Sequence, residues 1–162
     1  MSTLEVKAIQ APTGYDLDMP AGHIVQVVSS TYSTGVNNAT SSYADTGLTA
    51  TITPKFSSSK VLIVISQALG ADRDGTEAGV NLKLLRGTTE IQTYTEAVRV
   101  ETGSSASKST GVWSITYLDS PATTSATTYK TTCKPQSTAN NGLTRAQWSS
   151  TPSTITLMEV AG

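Results

Sequence analysis

The sequence predicts an all-β protein, an antiparallel β-sandwich of jelly-roll type. Three observations predict it. Thr alternates with Leu, Ala and Ile at a period of two, as in Leu48-Thr49-Ala50-Thr51-Ile52, which sends one side-chain set to a core and the other to water. About eight to ten short β-branched segments are separated by Gly, Pro, Asn and Ser turn signals, the spacing of a sandwich. No stretch carries a sustained helical stripe; Glu90 to Val100, the nearest candidate, is rich in Thr and β-branched residues and reads as a strand.

The elements follow in order. Residues 1–22 hold Leu4 and Val6 between charges, then Pro12-Thr13-Gly14. They are too short for a core of their own and are expected to form an N-terminal attachment arm, with 23–162 as the β-sandwich domain. His23-Ile24-Val25-Gln26-Val27-Val28 reads as a strand, 33–46 as a Ser/Asn/Gly loop, and Leu48–Ile52 as a half-buried strand stopped by Pro54. Val61-Leu62-Ile63-Val64-Ile65 is apolar on both faces and is expected to be a central strand covered on both sides, by the facing sheet and by a neighbouring subunit. Gly70 to Glu77 reads as a polar loop. Val80, Leu82 and Leu84 mark the next strand, and Arg86-Gly87-Thr88 a tight turn into Ile91–Thr95. Residues 102–110 read as a loop. Trp113, Ile115 and Tyr117 share one strand face, and Tyr129, Thr131 and Cys133 another. A long loop over 136–153 and a final strand, Ile155–Val160, complete the chain.

Composition narrows the function. The 162 residues carry 11 Lys and Arg against 12 Asp and Glu, so no basic field attracts nucleic acid. Roughly 30 % of the chain is Ser or Thr, while charged residues are 14 % against an ordinary ~25 %. One Cys and one His leave no intrachain disulfide, no Cys-rich zinc site and no His-based metallohydrolase motif. No apolar leader or membrane-length run is visible, so no membrane insertion is expected.

The chemistry-bearing residues read mostly as structural. His23, with Ser29, Ser30 and Asp45 as conceivable partners, begins a strand and reads as a rim histidine. Cys133 lies on a strand face and reads as a small buried hydrophobe. Asp72-Arg73-Asp74-Gly75-Thr76-Glu77 departs from the EF-hand pattern, with Lys83 where a final Glu belongs, and reads as a solvated turn. Glu96, Glu101, Asp119 and Glu159 are unpaired by any spacing. The reading is therefore no enzyme, with no catalytic, cofactor-binding or metal residues and no cofactor. Trp148 differs, because it stands in a polar loop where it either stacks on a sugar, anchors a partner or plugs the sandwich end. With Asn140 and Asn141 it is the candidate ligand or partner contact.

Several segments then carry a resemblance. They are Met19-Pro20-Ala21-Gly22-His23-Ile24-Val25-Gln26-Val27, Tyr43 through Pro54, Ser57 through Ile63, Leu84-Leu85-Arg86-Gly87-Thr88, Tyr117-Leu118-Asp119-Ser120-Pro121 and Ile155 through Val160. In that order the chain resembles small virion proteins of tailed phages, especially marine and cyanobacterial ones, described as tail-fibre or head-decoration proteins. The resemblance covers 19–160. It implies a β-sandwich like the trimeric jelly rolls of fibre heads, with no catalytic set, and makes Gly22 and Gly47 turn positions before strands. The expected function is a non-enzymatic structural component on the exterior of a tailed-phage virion, fibre-like or an appendage. A capsid decoration (cement) protein and a glycan-binding host-receptor module are the alternatives. The expected partners are two further copies in a homotrimer, other virion proteins of capsid or tail, and host surface glycans under the receptor alternative. The expected location is the virion, after synthesis in the host cytoplasm.

Overall fold

A computed structural model describes residues 20–103 and 106–162. Most of the expected arm, 1–19, lies outside the described residues. Its last residues join the body: the Gly22 N–H donates to the Ala161 carbonyl at 2.8 Å, and the Ala161 N–H donates to the His23 carbonyl at 2.8 Å. The ordered ladder thus reaches back to Gly22.

The described residues form ten strands: β1 (Ile24–Tyr32), β2 (Val36–Asn38), β3 (Ala44–Ile52), β4 (Lys60–Arg73), β5 (Glu77–Arg86), β6 (Thr89–Glu101), β7 (Ser107–Asp119), β8 (Thr127–Pro135), β9 (Leu143–Ala146) and β10 (Ser153–Val160). All pairings are antiparallel. One sheet runs β1–β10–β4 with β7 on the far edge of β4; the other runs β3–β8–β5–β6. Leaving aside the short β2 and β9, the pairs β1–β10, β3–β8, β4–β7 and β5–β6 nest inside one another. A long hairpin folded over on itself gives this wiring, which is that of the jelly roll.

The alternating strands bury the expected faces. Leu48, Ile52, Val61, Ile63, Ile65, Leu82, Leu84, Tyr129, Cys133, Ile155 and Leu157 meet between the sheets. Each large aliphatic side chain taken fully from water contributes ~1.5–3 kcal/mol. Ile115 joins them, with Trp113 and Tyr117 partly buried on the same strand face. The turn at Gly87, with φ +59°, closes the β5–β6 hairpin.

Several expectations need correction. β4 does not stop before Gly70: it runs to Arg73 because β7 pairs with it over Val61–Arg73, so only 74–76 turn. Within one chain, the facing sheet covers one side of β4. Val61, Ile63 and Ile65 are buried, Leu62 is half-buried and Val64 is exposed. The expected loop at 33–46 contains β2 and the start of β3, and β7 begins at Ser107, inside the expected 102–110 loop. The expected loop over 136–153 holds β9, which takes over the edge of β4 at Leu69–Asp72 beyond the end of β10. Gly47 lies within β3, at a bulge between Asp45 and Thr49, not ahead of the strand. Its φ is +83°, and a Cβ there would sit 2.2 Å from the Tyr32 ring; only glycine meets both demands.

Polar groups also cross the core. Asp119 on β7 accepts from Arg86 Nη1 at 2.9 and 3.0 Å and from the Tyr129 hydroxyl at 2.6 Å, joining the two sheets. Burial first, and then the bond to Asp119, push the Tyr129 phenol well above its usual pKa. The Thr131 hydroxyl donates to Gln67 Oε1 at 2.7 Å. Its one proton is thereby committed, so Thr46, 2.6 Å away, donates to Thr131.

Candidate binding site at the Trp148 loop

The segment between β8 and β10 is built from turns that need unusual backbone. Asn140, Asn141, Gln147, Ser149 and Ser150 all have φ between +51° and +61°. Left-handed backbone at a non-glycine residue carries a cost of order 1 kcal/mol, so the surroundings must hold it. The first turn is held by the β4–β5 corner: Asp74 N–H donates to the Asn140 carbonyl at 2.8 Å, Arg73 Nε donates to the Ala139 carbonyl at 3.1 Å, and Asn141 Nδ2 donates to Asp74 at 2.9 Å. A Cβ at Gly142 would lie 1.8 Å from the Ser137 carbonyl, so the chain passes there only as glycine.

The second turn is anchored by Gln147, whose side chain is buried. Its N–H donates to the Ala68 carbonyl at 2.9 Å, and its Nε2 donates to Ser153 Oγ at 3.0 Å. Ser153 Oγ also accepts from the Ala68 N–H at 2.9 Å. This knot fixes the start of the Trp148–Ser150 turn. Trp148 is 37 % exposed, and the Arg145 guanidinium lies 4.2 Å from its ring centroid. Arg145 is itself held by Asp72 at 3.0 Å, which also faces Lys108 at 3.3 Å. The result is a pre-set indole, stiffened by a cation–π contact. It borders a hollow of about 310 Å³ lined also by Gly35, Asn37, Ser149 and Ser150. Such a surface offers a flat apolar ring beside amide and hydroxyl groups.

The three residues singled out from sequence do not come together. Trp148 lines the hollow; Asn140 and Asn141 are committed to the turn against β4. Sequence reasoning missed Arg145, whose position three residues before Trp148 was the available signal. It also missed Gly35 and Asn37, which come from a segment read as loop.

The other candidates have structural settings. His23 is exposed, with Nδ1 3.1 Å from the Pro20 carbonyl. Ser29 bonds Thr156, and Asp45 pairs with Lys130, away from any triad. Burial pushes the Cys133 thiol up to about 12, which suppresses its thiolate. Glu96 and Glu101 share Arg99. Asp72, placed at sequence level in a turn, is a strand residue ion-paired to Arg145. Among the described residues, no group of three or more His, Cys, Asp or Glu is placed to hold a metal ion, and no helix is long and apolar enough to cross a membrane.

No family model and no curated protein matches the chain. Among solved structures it is similar to the infectious bursal disease virus Gx strain structure, at 12 % identity and TM-score 0.40, covering 97 % of this chain and 42 % of that one. A structure of the Gt strain matches at 15 % identity and TM-score 0.36, covering 93 % and 45 %. The chain thus spans less than half the length of these neighbours.

Proposed function

We propose that this chain is a non-enzymatic structural component of a tailed-phage virion, a fibre-like or appendage protein on the particle exterior, acting as a homotrimer beside other virion proteins. The observation that carries the reading is the Trp148 platform. Three left-handed non-glycine residues, Gln147, Ser149 and Ser150, hold a partly exposed indole at the margin of the jelly roll, and strain kept at a surface loop is characteristic of contact sites. The segment resemblance over 19–160 supplies the setting. Residues 1–22 would join the module to the particle, and the Trp148 hollow would face outward.

A receptor role is favoured by the same hollow. A ring beside Asn37, Ser149 and Ser150, with Arg145 already balanced by Asp72, suits a neutral host-surface glycan. Quantifying this chain in purified virions tests the main reading: a few trimers located at the tail support it, and absence from the particle overturns it. Hundreds of copies over the head would replace it with the cement role. Trp148→Ala should abolish host-cell binding while leaving incorporation intact if the glycan role holds.

A further inference from the structure

The turn before β9 sets side by side two residues whose identity the fold dictates. Asn141 stands at φ +58°, a region that asparagine tolerates better than most side chains, and its Nδ2 donates to Asp74 at 2.9 Å. Gly142 follows because a Cβ there would lie 1.8 Å from the Ser137 carbonyl. A carboxamide therefore precedes a peptide nitrogen that no Cβ crowds. The other asparagines differ. Asn37, Asn38, Asn81 and Asn140 are followed by Asn38, Ala39, Leu82 and Asn141, each with a side chain beside the nitrogen. Asn38 and Asn81 are also buried, and Asn38 Nδ2 donates to the Ser42 and Cys133 carbonyls. Asn141 is exposed.

We propose that Asn141 is a site of spontaneous deamidation, locked by Asp74 while the turn is closed and unable to close again once it has reacted. The Gly142 nitrogen, its proton released to solvent base, bonds to Asn141 Cγ. The Cγ–Nδ2 bond breaks, and ammonia leaves with a proton from water. Water then opens the resulting succinimide at either carbonyl, giving aspartate or isoaspartate. Two contacts oppose the first step: the Gly142 N–H donates to the Ala139 carbonyl at 3.2 Å, and Asp74 holds the carboxamide. Both must release, so the reaction runs from the opened turn. The product cannot remake them. A carboxylate at position 141 has lost the Nδ2 donor and meets Asp74 as a like charge. Isoaspartate also adds a carbon to the main chain just ahead of Gly142, which has no room toward the Ser137 carbonyl. The change is passed along the chain, because β9 starts at the next residue, pairs Leu143 with Asp72 and carries Arg145 to the Trp148 ring. The inference stands whether or not the Trp148 hollow takes a glycan.

Peptide mapping by mass spectrometry tests it, on the full chain incubated at mildly alkaline pH with and without urea. Asn141 should convert before the other four asparagines, and faster in urea than in the folded chain. Earlier conversion at another asparagine, or none at Asn141, overturns the site; equal rates in the two conditions overturn the lock. Asp74→Ala should raise the folded-state rate about fivefold, the effect of one lost hydrogen bond, and an unchanged rate removes Asp74 from the lock. Because Asp74→Ala also disturbs the β4–β5 corner, a second pair of variants reads the coupling directly. Asn141→Asp should speed amide hydrogen exchange at Gly142 about fivefold. Adding Asp74→Asn, which returns a donor to the pair, should restore protection. A turn as well protected in Asn141→Asp as in the parent chain, or one that Asp74→Asn fails to rescue, overturns the like-charge latch.

Discussion

On the β3–β8–β5–β6 sheet, outward side chains include Lys83, Lys130 and Lys134, with Lys83 pairing Glu90 and Lys130 pairing Asp45. Lys83 and Lys134 also lie over the Tyr43 ring, at 4.3 and 5.0 Å. On the β1–β10–β4–β7 sheet the same positions of the pleat carry Val27, Leu62, Leu118 and Met158, then hydroxyls. Both sheets alternate with the same period and cover the same core. What differs is the medium each outer face is built for: Lys stems lie on apolar surface and keep their ammonium groups in water, whereas an uncharged Val, Leu and Thr face gains by being covered. Charge on the outer positions, more than hydrophobicity, separates the two outer faces.

That contrast holds only while the sheets stay back to back, and Asp119 joins them. Asp119→Ala would leave the Arg86 guanidinium and the Tyr129 hydroxyl without their shared acceptor. The expected loss is about 3 kcal/mol, read from the urea midpoint of a variant kept monomeric; a loss under about 1 kcal/mol would remove the clamp from the account.

Glu159 sharpens the β1–β10 side. Burial alone would raise its pKa, but hydrogen bonds from Gln26 and from the Lys55 and Phe56 N–H groups prevail and hold the carboxyl below its usual value. A group depressed in the folded state adds stability above its unfolded pKa and loses it as pH falls through the folded value. Stability should therefore decline from about pH 4.5 downward, and Glu159→Gln should lower stability at neutral pH while flattening that acid limb. Equal acid sensitivity in the variant would assign the effect elsewhere.

The smallest effect belongs to the charged face. Lys130→Ala removes a solvent-screened pair with Asp45 and should cost about 0.5 kcal/mol with no change in sedimentation. A loss above about 1 kcal/mol would show that the pair is not screened by solvent.

The alternation in Leu48–Ile52 was legible because polar residues mark its outer face. Val61–Ile65 was not, since five consecutive apolar residues hide which of them point outward; only pairing with β7 and β10 shows that Leu62 and Val64 do. β2 and β9 escaped notice because three or four residues carry no usable period, and they exist through the edge that β4 offers. Asp119 stood unpaired in the sequence, because its partners Arg86 and Tyr129 stand 33 and 10 residues away. At the candidate site, Trp148 stood out as a large aromatic residue in a polar loop. Its Arg145 partner stands three residues earlier on β9, and the left-handed turn at Gln147 brings the ring beside the guanidinium.

The nesting of strand pairs has a kinetic consequence. The β5–β6 hairpin needs a turn of only two residues and forms on the microsecond scale. Its outermost counterpart needs Gln26 to find Glu159, 133 residues away, and such non-local pairing slows β folds to the millisecond-to-second range. Until then Val64 and Leu62 sit on a strand whose β10 neighbour is missing. The β1–β10–β4–β7 sheet is therefore the last to close, and β4 keeps an apolar open edge until it does.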